Sequence, residues 1–383
     1  MTKPRVLVTS AAGRTGMAAA LELLRLGFPV RAFVHTDDAR AARLRHAGAQ
    51  TIVGNLFDFR DLRRAMIDVQ RAYHCPPWTP NLLHGAMLFA LAAEAAKLEV
   101  VALMSSWNPH PSHPVVLTRE HWIANNVYQW MPSVDLVYVN PGLFAFNYLL
   151  GLPMVVNFGM LMAPFGEGLN APPSNEDIGR LAAAVLADPA RHVGRCYRPT
   201  GPTLLSPHDI AGILSTLLGR RVRYSDTPPA MFERAGRAMG YPLYALAWGR
   251  RFYEELRNGA FAIGAPTDHY ETVCGRPPED FETIARRYIA HPESIWPGLR
   301  RGSKLGTLRI VLRMLVTRVP DLDRWERDHY FPQLSAPQLA HESAEWRASA
   351  ACRQLLLLRG AGPRAIRHDY PHASTGAPSA EAG

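Results

Sequence analysis

Short apolar runs alternate with longer amphipathic stretches along the first 140 residues of the chain. The runs have the length and the β-branched content of buried strands, whereas the stretches between them have helical periodicity. The predicted strands are 6–9, 30–34, 51–53, 71–75, 100–104 and 135–139. The predicted helices are 16–26, 38–47, 59–67, 82–97 and 118–130. This alternation is typical of βαβ units and of a parallel sheet.

Six strands in this rhythm predict an α/β fold with a doubly wound, parallel Rossmann sheet in the order 3-2-1-4-5-6. After Pro141 the rhythm changes to a helix at 177–186, a strand at 195–199, a helix at 206–218, a strand at 222–224 and a largely helical stretch at 229–258. We therefore divide the chain into a nucleotide-binding domain (1–150), a smaller substrate-side region (151–293), a helical basic extension (294–359) and a disordered tail (360–383). Late Rossmann elements are expected around 177–200, interleaved with the substrate-side region.

The extension contains cations at Lys304, Arg309, Arg313 and Arg318, a spacing that we expect to place them on one helix face with leucines and valines opposite. Such a helix binds a membrane surface or a protein partner, or else packs on its own domain with a solvated arginine face. We favour the packed helix. The sequence leaves a homodimer open and does not say whether this tail would drive it.

The charge balance is basic, with a formal net charge of +9, and all but three of the 42 cationic residues are arginines. No nucleic-acid-binding motif accompanies this excess, so we expect no nucleic-acid partner. Four scattered cysteines indicate neither a disulfide framework nor a metal site, which fits a reducing cytoplasm. The chain starts directly with a strand, and its most apolar later stretch (149–165) is broken by proline and glycine. We therefore expect neither a signal peptide nor a transmembrane segment.

A glycine-containing turn follows the first predicted strand and opens the first predicted helix. It consists of Thr9, Ser10, Ala11, Ala12, Gly13, Arg14, Thr15 and Gly16. Glycines let the backbone approach a pyrophosphate, and the helix N-terminus then directs N–H groups at the phosphates. The turn therefore predicts a nicotinamide dinucleotide site, although Ser10 occupies the position of the first glycine.

The end of the second strand decides between NAD and NADP, because an acidic residue there binds the ribose 2′-hydroxyl. This chain has Arg31 and His35 on one face of the strand and no acid before Asp37. We therefore expect NADP(H) in preference to NAD(H). Arg31 could instead be a strand residue whose guanidinium reaches the surface.

The third strand is followed by Asn55 and Leu56, which we expect beside the adenine, where the Asn55 amide could bind the ring edge. Asp58 could cap the next helix, and both roles can hold together.

These motifs together resemble the NmrA-like group of atypical short-chain dehydrogenases/reductases over about residues 4–290. Downstream the resemblance continues at 140–144, 176–179, 200–202 and 275–281. It implies a cofactor laid across the carboxyl edge of the sheet. It also implies either an NADPH-dependent reductase or a redox-sensing regulator without chemistry. The chain departs from the family at Ser10, at Asn55 where an aspartate is usual, and at His35 where an arginine is frequent.

Ordinary short-chain reductases use a tyrosine with a lysine four residues later, and no such pair occurs in this chain. Ser105 and Ser106 follow the fifth strand, where that family has its site serine. We expect Ser105 beside the cofactor, and Ser106, His121 and Tyr128 as catalytic candidates, with Arg119 as an electrostatic partner. The alternative is that the residues of this helix have surface and capping roles.

Residues after the fifth and sixth strands are expected to form the substrate pocket, and they are Trp107, Asn108, Phe144, Asn147 and Tyr148. His110 and His113 are interpreted as loop residues and not as a metal site, because no third ligand is evident. Two functions remain open. One is an NAD(P)H-dependent oxidoreductase acting on a small carbonyl, quinone or conjugated substrate. The other is a non-catalytic NAD(P)-sensing regulator that acts through a protein partner.

Overall fold

The structure is a computed structural model that describes residues 3–291, 304–329 and 336–357, the last seven of them by their backbone alone. The predicted disordered tail at 360–383 lies outside the described residues. No helix among the described residues is long and apolar enough to cross a membrane.

Seven parallel strands form the central sheet, in the order β3-β2-β1-β4-β5-β6-β8. The strands are β1 (Val6–Val8), β2 (Val30–Val34), β3 (Gln50–Val53), β4 (Arg71–His74), β5 (Val100–Met104), β6 (Asp135–Val139) and β8 (Cys196–Tyr197). The predicted doubly wound sheet and its order 3-2-1-4-5-6 are therefore confirmed, with β8 added beyond β6. The predicted bounds of β2, β5 and β6 match those observed.

The continuous apolar sequence of β5, and of β2 apart from Arg31, reflects burial on both sheet faces, since every residue of both strands is buried. Two separate hydrophobic cores cover the two faces. The helices that cover them are α1 (Arg14–Arg25), α2 (Ala39–His46), α3 (Phe59–Ala65), α4 (Leu82–Ala96), α5 (Val116–Tyr128), α8 (Asn175–Ala187) and α12 (His269–Cys274).

The substrate-side region has a third core and a two-stranded parallel sheet of β7 (Met160–Ala163) and β9 (Arg223–Asp226). Its helices are α6 (Ala145–Tyr148), α7 (Leu152–Phe158), α9 (Pro207–Leu218), α10 (Pro229–Ala238), α11 (Leu243–Arg257) and α13 (Phe281–Ala290). The start of α9 follows from its sequence, because Ser206 and Asp209 form a reciprocal capping box. The division of the chain at 150, 293 and 359 stays a prediction.

The C-terminal extension folds back on the substrate-side region as α14 (Lys304–Val316), α15 (Leu322–Asp328) and α16 (Ala344–Leu357). α14 packs on α7 and α10, while α15 packs on α11. Arg250 of α11 forms ion pairs with Asp323 at 2.5 Å and Glu326 at 3.2 Å. Through these contacts the extension packs as an additional layer on the substrate-side region.

The expectation that the cations of α14 share one face, with leucines opposite, is wrong. At 3.6 residues per turn, Lys304 and Arg309 point about 140° apart. Thr307, Ile310 and Met314 are the more buried positions, and the leucines at 305, 308, 312 and 315 are exposed between the cations. The cations therefore flank an apolar stripe.

Helices α1 and α8 lie unusually close because Gly179 has no side chain. A Cβ atom at Gly179 would stand 2.6 Å from the Ala18 Cβ and 2.7 Å from the Thr15 carbonyl oxygen. Neither neighbour can move without moving the α1 backbone. The resemblance motif at 176–179 thus marks a packing requirement between α8 and α1. This matters for the predicted dinucleotide site, because its turn (9–16), called the phosphate turn below, leads into α1.

We expect Gly179→Ala to lower the free energy of unfolding by about 1–3 kcal/mol, the usual cost of forcing extra volume into a packed contact. Urea unfolding monitored by circular dichroism measures this. Gly212→Ala is the matched control, because its Cβ meets no atom within 4 Å on exposed α9. The control should be neutral or stabilising by up to about 1 kcal/mol. Equal stability of the two variants would contradict the packing argument.

Candidate cofactor and substrate site

Ser10 shapes the turn between β1 and α1. Its φ angle is +48°, in the left-handed region that glycine adopts more readily than serine. The Ser10 hydroxyl donates a 2.8 Å hydrogen bond to the Cys75 carbonyl, and the Gly13 amide donates to the Ser10 carbonyl at 2.8 Å. These two bonds hold the serine where the family pattern has a glycine.

The N-terminus of α1 meets this turn without a side-chain cap, because its N-cap residue is Gly13. A Cβ atom at Gly16 would stand 2.4 Å from the Ser10 carbonyl oxygen, so the helix can approach the turn only with glycine there. Ser10, Gly13, Arg14 and Thr15 line one large cleft. A backbone cradle next to a helix N-terminus fits the diphosphate of a dinucleotide.

Thr9, which follows β1, and Thr15 of α1 connect the cradle to the carboxyl end of β4. The Thr9 hydroxyl accepts a hydrogen bond from the Cys75 amide at 2.9 Å and lies 3.1 Å from His74 Nδ1. The Thr15 hydroxyl lies 3.4 Å from the Cys75 sulfur. Burial lowers the pKa of His74 to about 3, so this imidazole is neutral. Thr9 is fully buried and acts on the cradle through the β4 loop.

The two predicted residues of β2 lie in different places. His35 is exposed just beyond the carboxyl end of the strand. Arg31 is buried near the other end, where its guanidinium donates to Gln50 Oε1 and to the carbonyls of Ala65 and Ile67. Those bonds close the C-terminus of α3, so the predicted cofactor role of Arg31 is not supported. The alternative, a strand residue whose guanidinium reaches the surface, is not seen either, because Arg31 is only 6% exposed.

Arg40 is a cation near this edge that sequence reasoning missed. It lies in the first turn of α2 and pairs with Asp38, the N-cap of that helix, at 2.6 Å. Burial lowers the pKa of Arg14, and the positive charge of Arg40 acts on it in the same direction. The sequence offered one signal for Arg40, which is that a cation follows shortly after His35.

The loop after β3 carries Asn55 and Leu56. The Asn55 side-chain oxygen accepts a hydrogen bond from the Phe57 amide at 3.0 Å, which fixes a local turn. Asp58 caps α3 by accepting from the Arg60 amide at 2.8 Å, as predicted. Asn55 is exposed, and Leu56 is half-buried. Their contact with adenine stays a prediction.

The cleft has a volume of about 1540 Å³ and runs from the phosphate turn along the sheet edge into the substrate-side region. Ser105 and Ser106 line it at the carboxyl end of β5. The Ser105 amide donates to the Val139 carbonyl at 3.0 Å, while the Ser106 hydroxyl donates to Asn108 Oδ1 at 2.7 Å. Both serines thus lie where the predicted site requires them.

The two catalytic candidates on α5 lie in different environments. His121 lines the cleft, and burial lowers its pKa to about 4, so it is neutral at pH 7. Tyr128 does not line the cleft. It lies in the hydrophobic core, edge-on to His74 and Phe89, which stack on each other, and burial raises the pKa of its phenol. Tyr128 lies two turns beyond His121 on nearly the same face of α5, where β4 and α4 cover it, so these contacts do not support the prediction of Tyr128 as a proton donor to substrate. Arg119 is buried as well, and it donates to the His113 carbonyl at 2.7 Å.

Three of the five predicted pocket residues, Phe144, Asn147 and Tyr148, line the cleft. Trp107 and Asn108 do not, which corrects that prediction. The Trp107 indole donates to the Ala260 carbonyl at 3.2 Å and is covered by Arg198. Both side chains point from the sheet edge into the substrate-side core, where they fix loops and do not face a ligand.

Asn108 belongs to a buried polar cluster around Glu255 of α11. Its amide donates to one Glu255 oxygen, and the Ala340 amide donates to the other at 2.9 Å. His113 Nδ1 accepts from the Val115 amide, so its proton sits on Nε2, 3.2 Å from the same carboxylate oxygen. His113 therefore lies against this carboxylate as a structural member of the cluster. No group of metal-ligating side chains occurs among the residues that the structure describes.

Sequence reasoning missed most of the aromatic wall of the cleft. It comprises Trp78, Phe146, Phe165, Phe232, Tyr241, Tyr244, Phe252 and Tyr253. The spacing of four residues between Tyr244, Trp248 and Phe252 could have indicated an inward helix face. Thr307, Ile310 and Met314 of α14 complete the wall, and no short-range pattern brings them there.

A model of the NmrA-like family matches residues 2–255, more than half of the chain. This protein belongs to the NmrA-like family. The predicted resemblance is therefore confirmed. The matched stretch covers the whole sheet and most of α11, and it leaves α14, α15 and α16 outside.

Curated relatives and solved structures resemble this NmrA-like protein over the same part. An NAD(P)H azoreductase of Xenophilus azovorans is 28% identical over 292 residues, which are 74% of this chain and 98% of the relative. An NADPH-dependent quinone oxidoreductase of Escherichia coli, solved with NADPH, has a TM-score of 0.63 at 21% identity, over 74% of this chain and 99% of that one. NmrA, a negative transcriptional regulator solved with NADP, has a TM-score of 0.65 at 18% identity, over 79% of this chain and 99% of that one. About a quarter of this chain thus has no counterpart in the azoreductase.

We expect Gly16→Ala to weaken NADPH binding at least about tenfold, because the new methyl group pushes the Ser10 carbonyl out of the cradle. Ser10→Gly should leave binding within about threefold, since it removes a left-handed serine, which costs about 1–2 kcal/mol, together with one hydrogen bond of similar worth. Fluorescence titration with NADPH measures both, with circular dichroism as the folding control. A folded Gly16→Ala protein with unchanged affinity would contradict this phosphate site.

Proposed function

We propose that this NmrA-like protein is an NAD(P)H-dependent reductase of flat, conjugated, apolar acceptors such as quinones or azo compounds. The observation that carries the proposal is the continuity of one cleft. The phosphate turn lies at one end of it and the aromatic wall at the other, with Ser105 and Ser106 between them. The names of the azoreductase and the quinone oxidoreductase support this class of acceptor.

The size of the cleft supports two ligands together. Pockets for one small ligand usually hold about 300–1,000 Å³, and this cleft of about 1540 Å³ exceeds that. Aromatic side chains favour a flat acceptor, because rings stack face to face or edge to face with them. Phe144, Asn147 and Tyr148 would hold the acceptor above the sheet edge.

The phosphate turn and the Ser105 edge of the cleft would hold NAD(P)H, which would supply the hydride for the acceptor. A quinone that gains this hydride spreads the negative charge over its ring, and water supplies the proton that completes the hydroquinone. The reaction therefore does not require the missing Tyr/Lys pair. The neutral His121 would donate a hydrogen bond to an oxygen of the acceptor. Ser106 would fix the orientation of the acceptor.

We further propose that NADP(H) is preferred over NAD(H). Asp38 is occupied as a helix cap and by Arg40, and Asp37 pairs with Arg45 at 2.7 Å. Cations rather than a free carboxylate thus surround the end of β2. Arg40 and His35 would bind the 2′-phosphate, since a guanidinium binds phosphate with two hydrogen bonds.

Arg40→Ala should raise the Kd for NADPH about tenfold, the loss of a charged hydrogen bond worth about 1.5–3 kcal/mol, and should leave the Kd for NADH unchanged. Parallel fluorescence titrations measure both constants. Arg60→Ala is the matched control, because Arg60 likewise pairs with the N-cap aspartate of its helix, at 2.7 Å from Asp58. An equal loss for both nucleotides would contradict a 2′-phosphate contact.

The test of the reductase itself is NADPH oxidation, followed by absorbance, against a panel of quinones, azo dyes and aldehydes. We expect turnover with quinones or azo dyes and little with simple aldehydes, which need a proton donor. His121→Gln should keep more than about a tenth of kcat, because a neutral imidazole only donates a hydrogen bond, which is worth about 0.5–1.5 kcal/mol. NADPH binding without turnover of any acceptor would overturn the proposal and favour a nucleotide-sensing regulator with a protein partner.

We expect the protein to act in the cytoplasm. The three cysteines whose side chains the structure describes are free thiols, which suits a reducing compartment.

A further inference from the structure

Helix α14 presents an apolar stripe to solvent. Leu305, Leu308, Leu312 and Leu315 are between 45% and 65% exposed, and Val316 is 82% exposed. Their spacing places them on adjacent turns of one face. Single exposed aliphatic residues are common on proteins, but a contiguous row of five indicates an interaction surface.

The stripe faces outward because the opposite side of α14 is fixed. Thr307 is buried, and its hydroxyl accepts a 2.8 Å hydrogen bond from the Asn157 amide of α7. Ile310 and Met314 are half-buried and line the cleft. Rotation of the helix to hide the leucines would therefore expose the wall of the cleft and break the bond from Asn157.

Cations border the stripe on both sides. Lys304 lies on one edge, and Arg309 and Arg313 lie on the other. The sequence from Lys304 to Arg318 contains four cations and no acidic residue. A leucine face with basic borders is the pattern of helices that lie in the surface of an anionic bilayer.

A second copy of this chain fits the stripe less well. An isologous contact through α14 would bring its three cations against the three of the other copy, with no acidic residue of the helix to offset them. Anionic lipid headgroups instead complement each cation. Charge complementarity therefore selects the lipid surface.

We propose that α14 docks the protein on an anionic lipid bilayer, with the leucines at the acyl boundary and the cations among the headgroups. The opposite side of the helix belongs to the wall of the cleft. Docking would thus set the substrate half of the protein against the membrane, a source of apolar ring compounds. Docking does not depend on the proposed reductase activity.

The test is sedimentation of the full-length protein, without nucleotide, with phosphatidylcholine vesicles that contain or lack phosphatidylglycerol. We expect binding to the anionic vesicles, weaker binding in high salt and little binding to the neutral ones. The triple variant Leu308→Gln, Leu312→Gln, Leu315→Gln should partition onto the anionic vesicles at least about tenfold more weakly, since it removes three apolar side chains from the face that enters the bilayer. Leu91→Gln is the matched control, because Leu91 is 60% exposed on α4.

A second variant, Lys304→Gln with Arg318→Gln, tests the charge without touching residues that line the cleft. It should reduce binding to anionic vesicles and its salt dependence. Equal binding to both vesicle types, no binding at all, or unchanged binding by the folded triple variant would each overturn the proposal. Dimers in sedimentation velocity that the triple variant abolishes, without vesicle binding, would assign the stripe to a second copy. NADPH turnover in solution is measured separately, so its failure cannot be confused with failure of docking.

Discussion

Two glycines, Gly16 and Gly179, let α1 pack closely against the turn before it and against α8, because neither has a side chain. At Gly16 a methyl group would strike the Ser10 carbonyl, and at Gly179 it would strike α1 itself. The first glycine brings the helix N-terminus against the turn, and the second lets α8 hold the helix there. The phosphate cradle and the start of the cleft depend on this close backbone contact.

The cofactor half of the site was predictable because its determinants are local. The turn, the strand that precedes it and the helix that follows lie within twenty residues, and the left-handed backbone of Ser10 is what its position in the pattern implied. The strand order followed from the alternation of apolar runs and helices. The rim residues Phe144, Asn147 and Tyr148 also followed, since they come directly after a strand end.

The errors share one physical cause, which is that short-range sequence does not tell which neighbours a side chain will meet. Tyr128 and His121 are seven residues apart and point in nearly the same direction from α5, yet one lies in the core and the other lines the cleft. Trp107 and Asn108 follow Ser106 directly but turn into the substrate-side core. Arg31 was placed by strand face alone, whereas its partners lie at the end of α3. The wall formed by α14 depends on contacts about 150 residues apart, such as Asn157 with Thr307.

The Glu255 cluster ties the order of synthesis to the order of folding. Glu255 is fully buried, and one of its partners is the backbone amide of Ala340, far toward the C-terminus. Until that amide has been synthesised, the carboxyl group has Asn108 as a donor but lacks Ala340, and a buried polar group left short of a partner is costly. The nucleotide-binding half can assemble as it leaves the ribosome, as N-terminal regions generally do. The substrate half is completed only when the extension arrives, so a shortened chain of the azoreductase's length would carry this cost permanently.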